Sequence, residues 1–127
     1  MEEGTFNLNN YLHTFKKGNF IYLEGDTATR LYMIQTGSVQ LRRKLNSNEL
    51  IVGTCGSGDF LGVVSAINQW LHTETAEVTQ DSEIFILRPA DLEQLVIHDP
   101  SIGFKVVNYL SKQLRELNIK LDKLAHK

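Results

Sequence analysis

Three glycine turns set between short β-rich runs constrain this chain more than any other feature. Gly18, Gly25 and Gly37 each close a turn within His13–Val39. The runs between them, Phe20–Leu23 and Leu31–Gln35, are rich in Ile, Tyr, Leu and Met, so the region reads as a compact antiparallel hairpin array. Arg30–Gln35, Gly37–Leu45 and Glu49–Cys55 follow as successive short strands, with Asn46, Ser47 and Asn48 as a hairpin turn in which Asn takes the unusual backbone angles. Val39, Leu41 and Leu45 fall on alternate positions around Arg43, which predicts one buried and one wet face. Gly56, Ser57 and Gly58 break the pattern, a less regular stretch runs from Leu61 to Leu71, and strands over Thr73–Thr79 and Glu83–Leu87 complete a β-rich unit at about residues 11–88.

Past Leu87 the pattern becomes helical. Pro89 opens a short helix, about 89–98, with Leu92, Leu95 and Val96 on one face, and Asp99-Pro100 supplies an N-cap followed by proline at the first helical position. A long helix, about 100–126, must follow, since no further proline occurs and Gly103 is its only glycine. Val107, Leu110, Leu114, Leu117, Leu121 and Leu124 are spaced three, four, three, four, three along it, an a/d pattern over more than two heptads. Such a stripe can pack on the chain's own β-rich unit or zip against a second copy. It continues past the length that unit could cover, and Ile102, Phe104, Val106 and Ile119 offer separate apolar positions for packing at home, so a parallel homodimer is the expectation. Lys112, Arg115, Lys120 and Lys123 beside the stripe are interrupted by Glu116 and Asp122, which marks a solvated face rather than a DNA patch.

These elements make the chain α+β, an antiparallel β-roll of double-stranded jelly-roll type followed by a short and a long helix. With 127 residues it forms one domain, 1–127, able to remove roughly 60–70% of its unfolded surface from water. A net charge of −2 gives no basic face for phosphate contacts, so any DNA contact is expected from a domain absent from this chain. No stretch of eighteen apolar residues occurs and Met1 is followed by Glu2 and Glu3, so a cytoplasmic protein without a membrane partner is expected. The single Cys55 reads as a small buried hydrophobe, and Trp70 as a loop aromatic packed on the roll. His13, His72, His98 and His126 form no close pair, so neither a metal site nor a cupin-like metalloenzyme is expected. Ser65 lies in no nucleophile elbow, and the glycines at 56, 58 and 62 do not make a dinucleotide loop, so no catalytic residue is assigned and the chain reads as a non-enzyme.

The order Lys17-Gly18-Asn19-Phe20-Ile21, Glu24-Gly25-Asp26, Leu31-Tyr32-Met33-Ile34, Thr36-Gly37-Ser38-Val39 resembles the opening half of the cyclic nucleotide-binding domain of CRP/FNR-type transcription regulators, kinase regulatory subunits and gated channels. The resemblance implies that the long helix is a dimer interface and that a phosphate cassette of the form Phe-Gly-Glu, short helix, Arg-Ser/Thr-Ala should be present. There, backbone N–H groups and an Arg bind the anion while the Glu accepts from the ribose hydroxyl. Here the run is Phe60-Leu61-Gly62-Val63-Val64-Ser65-Ala66-Ile67, then Asn68 to Thr73, then Glu74-Thr75-Ala76. Val63 stands where the Glu belongs, and Glu74 (or Thr73, if the loop slips by one) where the Arg belongs. Gly62, Ser65, Thr75 and Ala76 are expected pocket walls, with Asn118 presented by the long helix towards the base. Some family members bind haem, and His72 or Cys55 could be an axial ligand, but a loop histidine and a core thiol are expected instead, with no cofactor. The resemblance thus implies an effector-sensing regulatory domain with a degenerate phosphate site. The alternative is a stand-alone module that binds a cyclic nucleotide in an altered pose.

Overall fold

The computed structural model describes residues 6–125, the side chains of Leu117 and Lys120 excepted. A 3-10 turn (Leu8–Tyr11) leads into β1 (Leu12–Phe15) and β2 (Phe20–Tyr22), followed by a long β3 (Leu31–Leu45), β4 (Asn48–Cys55) and a short β5 (Phe60–Leu61). Helix α1 (Val63–Ile67) precedes the second long strand, β6 (Thr75–Leu87), and the helices α2 (Pro89–His98) and α3 (Pro100–Ala125) close the chain. All strand pairs are antiparallel, in the order β1-β6-β3-β4, with β2 on β6 and β5 on β3.

The two long strands replace the pairs of shorter ones expected from the sequence. Glycine 37 does not end a strand; it bends one. β3 pairs with β6 from Leu31↔Leu87 to Arg42↔Thr75, with register shifts between Ile34 and Val39. Side chains alternate along a strand, so each extra residue in a bulge flips the faces. Before the shifts, Leu31 and Met33 face the core under the helices, while Tyr32 and Ile34 face the roll interior. After them the odd-numbered Val39 and Leu41 point into the roll. One strand thereby lines two cores. The crossing is tight: Gly37 has φ 111°, and a Cβ there would lie 1.9 Å from the Ser82 Oγ and 2.6 Å from its Cα. Buried Ser82 is satisfied at this point, its Oγ accepting from the Ser38 N–H at 3.1 Å and donating to the Gln80 carbonyl at 2.6 Å.

Beyond Arg42 strand β3 pairs only with β4, so Leu45, expected on the buried face, is 47% exposed at the hairpin tip. Asn46 takes the left-handed conformation (φ 61°) that the turn required, while Asn48 already belongs to β4.

The helices cap the roll. Leu92, Leu95 and Ile102 join Leu31, Phe60, Val63, Phe85 and Leu87 in one buried cluster, with Val96, Val106 and Tyr109 packed at its margin. Arg88 holds the start of α2 through two guanidinium hydrogen bonds to the Asp91 carboxylate, at 3.0 and 2.8 Å, and one from its backbone N–H at 2.8 Å, which keep that carboxyl below the usual carboxylate range. Asp99 caps α3 by accepting from the Ser101 N–H at 3.2 Å and its hydroxyl at 2.6 Å. Phe104 and Ile119, expected to pack at home, are exposed instead, because the inward stripe of α3 runs through Ile102, Val106 and Tyr109. His126, the last residue expected in the helix, lies outside the described residues.

Replacing Gly37 with Ala should destabilise the roll by roughly 3 kcal/mol or more, because backbone strain adds to overpacking against Ser82. Gly58→Ala, whose added Cβ meets nothing within 4 Å, should cost only the left-handed strain of about 1–2 kcal/mol. Denaturant melts of the two variants check the difference, and equal losses would contradict the close-crossing account.

Candidate functional site: the cassette and the roll interior

Helix α1 starts at Gly62, whose left-handed φ of 72° turns the chain from β5 into the helix. A Cβ at Gly62 would lie 3.0 Å from the His72 Cε1, so the glycine also admits the His72 ring. That ring is buried and stacked on Tyr22 of β2, with ring centroids 3.6 Å apart and planes 9° apart. The backbone of His72 fixes the opposite turn: its N–H donates to the Asp26 carbonyl at 2.8 Å, and its carbonyl accepts from the Gly25 N–H at 2.9 Å. The loop between α1 and β6 is equally tied. Trp70 donates to the Ser65 carbonyl and its own carbonyl accepts from Ala28, both at 2.8 Å, across a left-handed Gln69. The Trp70 side chain nevertheless stays 65% exposed, contrary to the expectation that it packs on the roll.

Glu74 turns inward from this loop. Its Oε1 accepts from the buried Tyr22 hydroxyl at 3.3 Å, and its Oε2 from the Thr73 hydroxyl at 2.6 Å. The next residue, Thr75, ties β6 to the Glu24 turn by accepting from the Glu24 N–H at 2.9 Å. Burial, reinforced by the Glu74 charge, pushes the Tyr22 phenol far above its ordinary value, so it remains a neutral donor. The same carboxylate acts on groups further along the interior. Burial, then Asp59 and Glu74, push the half-buried Cys55 thiol up to about 11, and burial, then Cys55 and Glu74, raise the Tyr109 phenol. Cys55 is therefore held as the protonated thiol.

Beside this floor a cavity of about 280 Å³ opens between β4 and α3, lined among others by Leu41, Cys55, Asp59, Tyr109, Lys112 and Gln113. The roll contributes both apolar (Leu41, Val52) and polar (Thr54, Asp59) groups and α3 a polar edge, with the Gln113 amide donating to the Tyr109 hydroxyl at 2.8 Å. Arg42 of β3 is held on Glu77, Glu49 and Gln40.

The structure brings together only some of the expected site residues. Gly62, Glu74 and Thr75 are assembled around Tyr22 and His72. Ala76 is buried in the roll and Ser65 uses its carbonyl on the loop. Val63 is 1% exposed and belongs to the core under the helices, so its side chain is not a pocket wall. Asn118 lies on a surface groove along α3 with Arg115 and Asp122, away from the cassette. Tyr22, Asp59, Tyr109 and Gln113 were missed from the sequence, although Tyr109 stands three residues beyond Val106 on the inward stripe. Among the described residues no group of three or more His, Cys, Asp or Glu is placed to hold a metal ion.

Residues 12–99 match the cyclic nucleotide-binding domain family. The chain is 27% identical over 112 residues to a cyclic AMP receptor protein of Thermus thermophilus, covering 87% of this chain and 52% of that protein. It is also 27% identical over 115 residues to an anaerobic regulatory protein of Bacillus subtilis, covering 87% and 48%. Its fold superposes on the crystal structure of the Thermus thermophilus catabolite activator protein with a TM-score of 0.78 and 26% identity, covering 91% of this chain and 56% of that one. The chain spans about half the length of the curated relatives it matches. With its six-stranded roll, cassette turn and long final helix, the chain belongs to the cyclic nucleotide-binding domain family, in its CRP/FNR branch.

Proposed function

We propose that this chain is a non-enzymatic effector-sensing domain of a CRP/FNR-like transcription regulator, working in the cytoplasm as a homodimer whose cassette does not take a cyclic phosphate. One observation carries the reading of the cassette: Glu74 lies on the floor of the roll, bonded to Tyr22, where the family pattern calls for a guanidinium. A phosphate brought to about 4 Å from that carboxylate would be repelled by roughly 4 kcal/mol at an effective dielectric near 20, before screening. Loss of the two charged contacts removes a further 1.5–3 kcal/mol each, so a micromolar site would weaken by about two to four powers of ten or more.

Isothermal titration calorimetry tests this with cyclic AMP and cyclic GMP. The parent chain should show weak or no binding, and Glu74→Arg should tighten it at least tenfold; low-micromolar binding by the parent would overturn the reading and favour the stand-alone cyclic-nucleotide module. A carboxylate restored at position 63 would be buried in the core under the helices, so Glu74 is the position to exchange.

The dimer reading rests on α3. Val107, Leu114, Leu121 and Leu124 are each more than half exposed and Leu110 is half-buried, whereas the stripe through Ile102, Val106 and Tyr109 packs at home. The side chain of Leu117, the sixth seam position, lies outside the described ones. A row of large apolar side chains at a/d spacing favours a second copy as occupant. No helix among the described residues is long and apolar enough to cross a membrane. The acidic balance gives this chain no nucleic-acid face, so duplex DNA should not bind it at physiological salt.

Sedimentation should find the parent chain dimeric at high micromolar concentration and the Leu114→Glu, Leu121→Glu double variant monomeric. Burying an unpaired charge at two seam positions costs several kcal/mol. A monomeric parent would contradict the seam.

A further inference from the structure

The interior histidine is a buried titratable residue that meets three separate parts of the cassette. His72 is 4% exposed; its ring covers Tyr22 face to face, its Cε1 abuts the Cα side of Gly62, and its backbone closes the Gly25–Asp26 turn from both directions. The α1 start and the roll floor meet at this ring, and the turn that receives Glu74's neighbour Thr75 is tied to the backbone of the same residue, whose side chain can take up a proton. We propose that His72 is an acid-sensitive latch: the neutral ring fills the slot between Tyr22 and Gly62 and holds the cassette closed, and a proton taken up on the ring from solvent releases it.

The surroundings favour the neutral form. The β2 face of the slot is the Tyr22 ring and its neutral phenol, and the α1 face is a glycine without any titratable group. The charges that act on the ring are two carboxylates, Glu74 on its own loop and Asp26 on the facing turn, and they offset only part of the burial, which holds the imidazole below its ordinary value of 6.5. Stabilisation by the neutral ring is complete above that value and is lost as pH falls through the lowered one. A charged imidazole is drawn towards Glu74, whose Oε1 is the acceptor of the Tyr22 hydroxyl, so protonation sets the stack and the floor hydrogen bond against each other. The release would reshape the loop that carries Trp70 and Glu74, and it requires no effector.

Trp70 is the only tryptophan of the chain and lies two residues from His72, which makes its emission a local reporter. Emission recorded from about pH 7.5 to 5.0, with circular dichroism to check that the fold persists, should show a transition with its midpoint below 6.5 in the parent. His72→Phe keeps a stacking ring and cannot titrate, so its emission should stay flat. A flat parent, or the same transition in His72→Phe, would overturn the latch. Should the variant not fold, proton NMR of the parent decides: one histidine ring resonance must titrate below 6.5 with the Trp70 indole signal following the same curve, and four histidines titrating near 6.5 would contradict the proposal.

Discussion

The bulged crossing of β3 over β6 at Gly37 and Ser82 is the constraint on which the rest of the structure depends. Without the register shifts between Ile34 and Val39, the residues that line the roll beyond the bend would turn outward, because a strand with period two has no other way to change faces. With them, Leu31 and Met33 serve the core under α2 and α3 while Val39 and Leu41 serve the interior. Only a glycine permits the approach, since a Cβ at position 37 would overlap the backbone of Ser82. The cassette hangs from this frame through β5, which pairs with the first half of β3, and through β6, which begins directly after Glu74.

What the frame presents inside is one connected set of contacts. Glu74 is half-buried and bonded to Tyr22, Tyr22 is stacked on His72, and His72 fits against Gly62. Replacing an inward Arg by an inward Glu would leave a buried carboxylate without donors; here the Tyr22 and Thr73 hydroxyls supply them. The cavity next to that floor mixes apolar Leu41 and Val52 with Thr54 and Asp59 on the roll side and meets Lys112, Gln113 and Glu116 of α3 on the other.

Much of this was legible in the sequence. The glycine turns, Pro89, Asp99-Pro100 and the a/d row fixed the order of strands and helices, because each signal is local and acts through backbone geometry or a cap. The merging of two pairs of strands was not legible, since glycine at a positive φ ends a strand as readily as it bends one, and only the Ser82 partner across the sheet decides. The resemblance aligned Glu74, or Thr73 with the loop slipped by one, with the family's Arg but could not tell that Val63 turns into the core, because a two-residue strand followed by a five-residue helix carries too little periodicity to assign faces. Phe104 and Ile119 were misplaced for a related reason: α3 bears two apolar stripes, and which one meets the roll depends on how α2 docks.

The central claim is that the inward Glu74 leaves the roll without a phosphate site, and the phosphorus nucleus reports on that directly. In a 31P NMR titration of cyclic AMP with the chain, the account predicts that the phosphate resonance keeps the position and width it has in buffer at millimolar ligand. A shifted or broadened resonance that returns to its free position in competition with cyclic GMP would show an occupied phosphate site and contradict the account.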